Sequence, residues 1–420
     1  SRRQRQMCIR DSAYTFTYTT VGEIVAWVIG WDLILEMLMA GSVVSKYWGV
    51  YLNQFFELIG WNINTNIAIG SFNFDLAPVI IVAFFTALLV MGTKIGARVD
   101  GALTILKIAI VVFIVVVGFF YIKAENFTPF IPPSEPAAST DGSGVSAVME
   151  QPLWQWATGM APSIYGVTGI ISGAALVFFA FLGFDVVATA SEETINPKKN
   201  VPLGIGVGLG LIIVLYTLVA IVTTGMVSYK DLAKQSDPSL AVAFKMVGAD
   251  WAAKIISLGI VIGMATVVMV LLLGLTRVVF AMSRDGLLPR GLSHTGKHGT
   301  PVRLQIIVGV VMALIAACCN VGILSDMVNI GTLSAFTLVA ISIPIMRKKR
   351  PDLERSFKIP GNPWVPILIA LANLWLMVNL SVLTWIRFVV WLIVGFAIYF
   401  GYGYRHARLG AGELEVAAQE

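Results

Sequence analysis

Long apolar stretches without charged residues alternate with short polar segments along most of the chain. A helix that crosses a bilayer needs about 20 mainly apolar residues. The stretch 22–45 meets this need apart from Glu23, Asp32 and Glu36, and the span within 151–184 should begin near Val167, after a polar and aromatic part. The pattern predicts an all-α polytopic membrane protein with about ten transmembrane helices. The uncharged stretches are 76–93, 108–122, 151–184, 200–229, 255–276, 304–325, 327–346, 359–386 and 388–404.

Composition supports this class. Of the 420 residues, 57% are hydrophobic and 13% are charged, whereas soluble domains have about 45–50% apolar and about 25% charged residues. A soluble protein of this length could not keep so much apolar surface away from water. The composition excludes a typical soluble enzyme, a disordered chain and a secreted disulfide scaffold. The net charge of +5 is not a nucleic-acid signal, so membrane lipid is the expected partner.

Basic residues predict the orientation, because cytoplasmic loops of membrane proteins are enriched in Lys and Arg. Lys198, Lys199 and the RKKR run at 347–350 lie in the more basic set of loops, as does the tail. We therefore predict a multi-pass plasma-membrane protein whose C-terminus, including residues 409–420, is cytoplasmic. The segment 123–166 falls on the opposite side and is rich in Pro, Ser and Gly. We expect it to be a mobile extracellular loop.

The first twelve residues differ abruptly from the apolar sequence that follows. The codons that can encode SRRQRQMCIRDS (1–12) resemble a common transposase sequencing adapter read in frame, and a basic cytoplasmic tail is the alternative. We expect residues 1–12 to be a non-native segment, followed by a transmembrane domain over 13–408. We also expect the natural protein to continue upstream, so that this chain is truncated at its N-terminus.

Ionisable residues inside the predicted spans are functional candidates, because each costs about 3 kcal/mol or more when charged. Lys107 lies about one turn inside a span, where it either extends to the interface or occupies an interior ion or proton site. Asp32 and Glu36 are four residues apart on one helix face, which we expect to meet protein or water rather than lipid. They either contact a ligand or cap neighbouring backbone. Asp326 lies at a span boundary, where we expect a structural cap.

The segment FFAFLGFD (178–185) places Gly183 in the middle of a span, two residues before Asp185. Glycine in a helix interior costs about 1 kcal/mol relative to alanine, and a nearby charge disfavours a continuous helix that faces lipid. Discontinuous helices in transporters expose backbone carbonyls that bind cations. The alternative is a glycine at a tight helix crossing, and the segment by itself leaves both interpretations open.

Three function classes remain to be compared: a permease, a membrane-embedded enzyme and a channel subunit. His294 and His298 are four residues apart, but a glycine between them argues against a metal-binding helix face. No Gly-Lys-Ser/Thr phosphate loop appears, so ATP-driven transport is not supported. A broken helix with a lone interior lysine favours alternating access over an open pore. We expect no cofactor and no metal.

Several motifs together resemble the cationic amino acid transporter branch of the amino acid–polyamine–organocation superfamily. The resemblance covers nearly all of 13–408 and includes the context of Lys107. Its other motifs are WDLILE (31–36), FFAFLGFD (178–185), SEETINPKKNVP (191–202), TRVVFAMSRDGLLP (276–289), MVNIGTLSAF (327–336) and RKKRPDLERSFKIP (347–360).

The resemblance implies a fold of two inverted five-helix repeats, in which this chain lacks the first two family helices and carries the third to the twelfth. It implies a secondary active permease that imports L-amino acids across the plasma membrane, coupled to protons. A small single-span membrane protein is a further candidate partner.

The resemblance also assigns roles to individual residues. The carbonyls of Phe179, Ala180 and Leu182, beside Gly183, would receive the substrate ammonium group, and the ring of Phe179 would cover the site. Glu36 would lie near the side-chain end of the pocket.

The resemblance places Lys107 where sodium binds in related transporters, which implies proton coupling, with Thr266 nearby. Leu271 and Leu272 fall in the family's pocket-lining region. Because these leucines shorten the pocket and cannot pair a buried charge, we expect neutral amino acids to be favoured over cationic ones.

Overall fold

The chain is almost entirely helical where its structure is defined. The computed structural model describes residues 23–61, 65–69, 72–92, 97–136, 145–161, 163–183, 196–235, 238–294, 301–349 and 361–407. The adapter-like segment 1–12 and the tail 409–420 lie outside these ranges. The helices are α1 (Glu23–Leu58), α2 (Leu76–Val90), α3 (Ala97–Phe119), α4 (Val145–Glu150), α5 (Leu153–Thr158), α6 (Gly166–Val177), α7 (Pro197–Met226), α8 (Tyr229–Ala233), α9 (Leu240–Met246), α10 (Asp250–Arg284), α11 (Val302–Cys318), α12 (Val321–Lys349), α13 (Trp364–Val378), α14 (Val382–Ile398) and α15 (Tyr404–His406).

Ten of these helices are apolar and follow the order of the predicted spans. In the described part of the chain, six are long and apolar enough to cross a membrane, and four shorter apolar helices accompany them. The polytopic all-α prediction is confirmed. Helices suit this environment because all their backbone hydrogen bonds are made within one segment, and lipid supplies no partners. The span within 151–184 begins at Gly166, next to the expected Val167.

Helix α1 forms the centre of the bundle. It packs most extensively against α10 and α12, and Trp27, Ile29 and Leu35 on it are completely or almost completely buried. The indole of Trp31 stacks on that of Trp391 with ring centroids 4.4 Å apart, and its Nε1 donates to the Trp391 carbonyl over 2.9 Å. This central position explains how two carboxylates on α1 avoid lipid.

Small sheets and short helices lie between the long helices. Strands β1 (Asn66–Ile69) and β2 (Phe72–Asp75) form an antiparallel hairpin in the register Asn66 to Asp75. Asp75 then caps α2, since its carboxylate accepts a 3.2 Å hydrogen bond from the Ala77 amide.

The 123–166 segment is attached to the helices in its described parts. Strands β3 (Glu135–Pro136) and β4 (Ser163–Ile164) pair antiparallel within it. The Leu153 amide donates to the Leu380 carbonyl over 3.0 Å, and the Val382 amide donates to the Gln151 carbonyl over 3.1 Å. These bonds join the segment to the turn between α13 and α14. The described parts of the segment are therefore hydrogen-bonded to the helices, and the mobility of the loop stays a prediction.

Candidate functional site

The apolar stretch 151–184 contains the predicted helix interruption, and the structure describes it as far as Gly183. Helix α6 ends at Val177, and a single 3₁₀ turn follows over Phe178–Phe181. Leu182 is extended, with φ −67° and ψ 152°, and Gly183 has φ +112°, a conformation that L-residues with side chains rarely adopt. The chain therefore leaves the helical path at Leu182 and Gly183, which confirms that helix does not continue through them. Asp185 lies outside the described residues.

A tyrosine from α7 contacts this interruption. The hydroxyl of Tyr216 donates a 2.9 Å hydrogen bond to the carbonyl of Ala180, and its ring packs edge-on against Phe181 with centroids 5.3 Å apart. Of the carbonyls that the resemblance assigned to substrate, that of Ala180 is thus accessible to a donor, whereas that of Phe179 accepts from the Leu182 amide over 3.2 Å. Our sequence reasoning missed Tyr216, although a phenol within an apolar span is a detectable signal.

Helix α12 supports the interruption from another side. The Asn329 side chain is completely buried, and its Nδ2 donates to the carbonyl of Leu176 over 3.0 Å. The ring of Phe178 packs edge-on against Phe336 with centroids 6.2 Å apart. Asn329 was also missed, although its amide is conspicuous within the apolar motif MVNIGTLSAF. Helix α12 therefore holds the last turn of α6 in place.

A different face of α12 contacts the acidic face of α1. Asp32 is completely buried and Glu36 is 3% exposed, which confirms that this face meets protein. A Cβ on Gly331 would lie 3.1 Å from Leu35 and 3.6 Å from the Asp32 carbonyl. The side chain of Ser334 lies beside the Asp32 carboxylate. A buried carboxyl group in this setting is a candidate for binding a ligand or a proton.

Lys107 lies at the contact between α3 and α10. It is half-buried, and a Cβ on Gly263 would be 3.2 Å from its Cγ. The Thr266 hydroxyl donates to the Gly263 carbonyl over 3.0 Å, so Lys107 and Thr266 converge on one glycine. Gly259 and Gly263 form a GxxxG pattern, which lets membrane helices approach closely.

The two leucines lie at a different contact, between α10 and α1. Leu272 is 2% exposed and belongs to the large apolar core, while Leu271 lies near Gly41. The predicted site residues therefore form three groups: the interruption, the Lys107–Thr266 pair and the leucine contact. Helix α1, which carries Glu36, packs against α10 and α12.

Asp326 does not cap a helix end as we expected. It lies inside α12, and its Oδ2 accepts a 3.0 Å hydrogen bond from the Thr384 hydroxyl of α14. It therefore joins two helices, because a side chain one turn inside a helix faces its neighbours rather than the terminal amides. The described residues contain no group of three His, Cys, Asp or Glu side chains that could hold a metal ion.

Comparisons with known proteins show the family of the chain. A family model described as amino acid permease matches residues 10–401. The chain is 40% identical over 411 residues to the branched-chain amino acid permease BcaP of Bacillus subtilis (strain 168), covering 96% of this chain and 81% of that protein. It is 39% identical over 409 residues to the methylthioribose transporter of the same organism, with the same 96% and 81% coverage.

A human relative is more distant. The chain is 27% identical over 530 residues to cationic amino acid transporter 4 of Homo sapiens, covering 96% of this chain and 78% of that protein. All three relatives are transporters, and the resemblance drawn from the motifs is confirmed. The chain belongs to the amino acid permease family, and it is a membrane transporter rather than an enzyme.

Proposed function

We propose that the chain is a proton-coupled secondary transporter that imports neutral L-amino acids across the plasma membrane. The helix interruption supports the substrate site. An ammonium group is a strong hydrogen-bond donor, and carbonyls at the end of a broken helix are suitable acceptors. The Ala180 carbonyl already accepts one donor, the Tyr216 hydroxyl, and a carbonyl oxygen has a second lone pair.

The position of Lys107 supports the proposal of proton coupling. Its methylene groups lie against Gly263, whose carbonyl accepts a hydrogen bond from the Thr266 hydroxyl. A lysine amine within a helix contact can bind and release a proton. Binding and release of that proton would alter the contact between α3 and α10 during the transport cycle.

The preference for neutral substrates rests on the apolar contact between α1 and α10. Leu271 and Leu272 offer no hydrogen-bonding group, and a buried cationic side chain without a partner costs several kcal/mol. Glu36 is the opposing feature, since it could pair with such a cation. Similarity to a branched-chain permease at 40% identity favours an apolar side chain. Similarity to the methylthioribose transporter at 39% identity also favours an uncharged substrate.

Uptake into proteoliposomes tests both parts of the proposal. We expect radiolabelled L-valine to accumulate under an inward proton gradient without sodium, and unlabelled alanine to compete better than arginine or lysine at equal concentration. Methylthioribose serves as an uncharged competitor that is not an amino acid. A strict sodium requirement would refute proton coupling, and stronger competition by arginine would show that Glu36 dominates the pocket.

A further inference from the structure

A cavity of about 890 Å³ lies between the 123–166 segment and the helix ends beneath it. It is separate from the Lys107 contact and from the leucine contact. Its walls include Gln151 of the segment, Asp326 of α12, Ser381 at the start of α14 and one side of α6. In the predicted orientation this cavity is on the extracellular side, where an imported substrate arrives.

The wall of the cavity contains two carboxylates and a buried amide whose oxygen can accept hydrogen bonds. Asp326 and Glu150 both line the cavity, and none of its described lining residues is Lys or Arg. Asp326 uses its Oδ2 to accept from Thr384. Gln151 is 7% exposed, and its Oε1 has no hydrogen-bond partner among the described residues. A buried acceptor without a donor is unfavourable, so a ligand that supplies N–H groups would satisfy it.

Two cationic side chains lie near the cavity, those of Lys230 and Arg387, and neither is among its described lining residues. Lys230 lies beside Tyr165 at the edge of the cavity, but its ammonium pairs with Glu135 at 2.8 Å. The Lys230 ammonium donates this hydrogen bond to Glu135, which raises the pKa of Lys230. Arg387 acts on Asp326 electrostatically but is not a lining residue. The acceptors thus remain available to a ligand.

The N-terminus of α6 supplies the complementary group. Tyr165, Gly166 and Gly169 line the cavity, and α6 begins at Gly166 without a side-chain cap. The first amides of a helix carry partial positive charge and attract carboxylates. The wall therefore presents acceptors for an ammonium group and donors for a carboxylate, which are the two charged groups of an α-amino acid.

The inner end of the cavity leads toward the helix interruption. Gly173 and Leu176 of α6 line it, and Leu176 lies two residues before the 3₁₀ turn that begins at Phe178. We propose that this cavity is an outer binding site for an α-amino acid, with its ammonium group at Asp326 and the Gln151 Oε1 and its carboxylate at the N-terminus of α6. The proposal rests on the proposed function, because it takes an amino acid as the transported substrate.

Equilibrium binding of tritiated L-valine to the purified chain tests the outer site. We expect two valines per wild-type chain at saturation. Gly183→Leu should remove the binding at the interruption and leave one, and Asp326→Asn in that background should weaken the remaining binding about tenfold or more, as for hydrogen bonds to a charged group. Gln151→Leu is a second variant in case Asp326→Asn does not fold. Asp231→Asn, which changes a carboxylate that pairs with Lys234 outside the cavity, is the matched control and should leave both sites.

Ligand fragments test the recognition mode in the Gly183→Leu chain. Isobutylamine, which lacks the carboxylate, should compete with valine better than isovalerate, which lacks the amine. Equal or better competition by isovalerate would overturn the assignment of Asp326 and Gln151. If the wild-type chain binds only one valine, and Asp326→Asn and Gln151→Leu do not change its affinity, the outer site is wrong. The outer site is also wrong if the chain binds no valine.

Transport measured in parallel separates this proposal from the proposed function. If wild-type chains take up valine but bind it only at a site that Gly183→Leu abolishes, the outer site is wrong and the function stands. If they take up no valine but still bind it in a manner that Asp326→Asn weakens, the proposed function is wrong and the outer site stands.

Discussion

The hydroxyl of Tyr216 donates a 2.9 Å hydrogen bond to the carbonyl of Ala180, across the contact between α7 and the interrupted helix. This bond orients a carbonyl that no longer serves a continuous helix. It leaves the second lone pair of the oxygen for another donor. Tyr216, which our sequence analysis did not identify, thus positions the Ala180 carbonyl, which it did identify.

Tyr216→Phe should weaken substrate binding, because the Ala180 carbonyl loses the donor that orients it. A neutral hydrogen bond contributes about 1 kcal/mol, so we expect the KM for valine to rise about fivefold with little change in the amount of inserted protein. Uptake kinetics in proteoliposomes measure this. Tyr404→Phe changes a largely exposed phenol elsewhere and should leave the KM unchanged. An unchanged KM in Tyr216→Phe would show that the bond has no role in binding.

Gly183→Leu should nearly abolish uptake while the protein still inserts. Space is not the constraint, since a Cβ at Gly183 would meet nothing within 4 Å. The constraint is φ +112°, which costs a leucine about 1–3 kcal/mol and shifts the segment away from the interrupted geometry. Gly208→Leu is the matched control, because Gly208 is helical and equally unobstructed. Normal uptake by Gly183→Leu would mean that the interruption is dispensable.

Lys107→Ala should abolish uptake driven by a pH gradient, because the titratable amine at the Gly263 contact is lost. Exchange of internal for external valine, which needs no proton gradient, should persist. The two assays in one proteoliposome preparation separate coupling from binding. Lys234→Ala, which removes an exposed lysine, is the control. Gradient-driven uptake at the wild-type level in Lys107→Ala would eliminate Lys107 as the coupling group.

Gly259→Leu should destabilise the contact between α3 and α10. A Cβ at Gly259 would lie 2.5 Å from Ile110, so a larger side chain forces the helices apart. Overpacking of this kind costs about 1–3 kcal/mol, and we expect a lower Tm in detergent together with weaker proton coupling. Gly206→Leu on α7, where nothing lies within 4 Å, should change neither. A Gly259→Leu protein with the wild-type Tm would argue against close packing here.

The lengths of the apolar stretches in the sequence were enough to predict the helices of this protein. A bilayer-spanning segment must satisfy its own backbone and expose apolar side chains, so its sequence carries the signal locally. The ten apolar helices follow the predicted stretches in order, and the position of Gly183 indicated where one of them is interrupted. The burial of Asp32 and Glu36 was likewise predictable, because carboxylates on one helix face cannot lie in lipid.

Tertiary structure alone decided what surrounds these residues. The bonds from Tyr216 to Ala180 and from Asn329 to Leu176 join segments 36 and 153 residues apart, and no periodicity in either segment encodes its partner. The sequence also does not specify the partner in three other contacts. These are the contact of Lys107 with Gly263, the hydrogen bond of Asp326 between α12 and α14, and the attachment of the 123–166 segment to the turn after α13. Hydropathy specifies which residues leave water, whereas the pairing of polar groups depends on how the helices pack together.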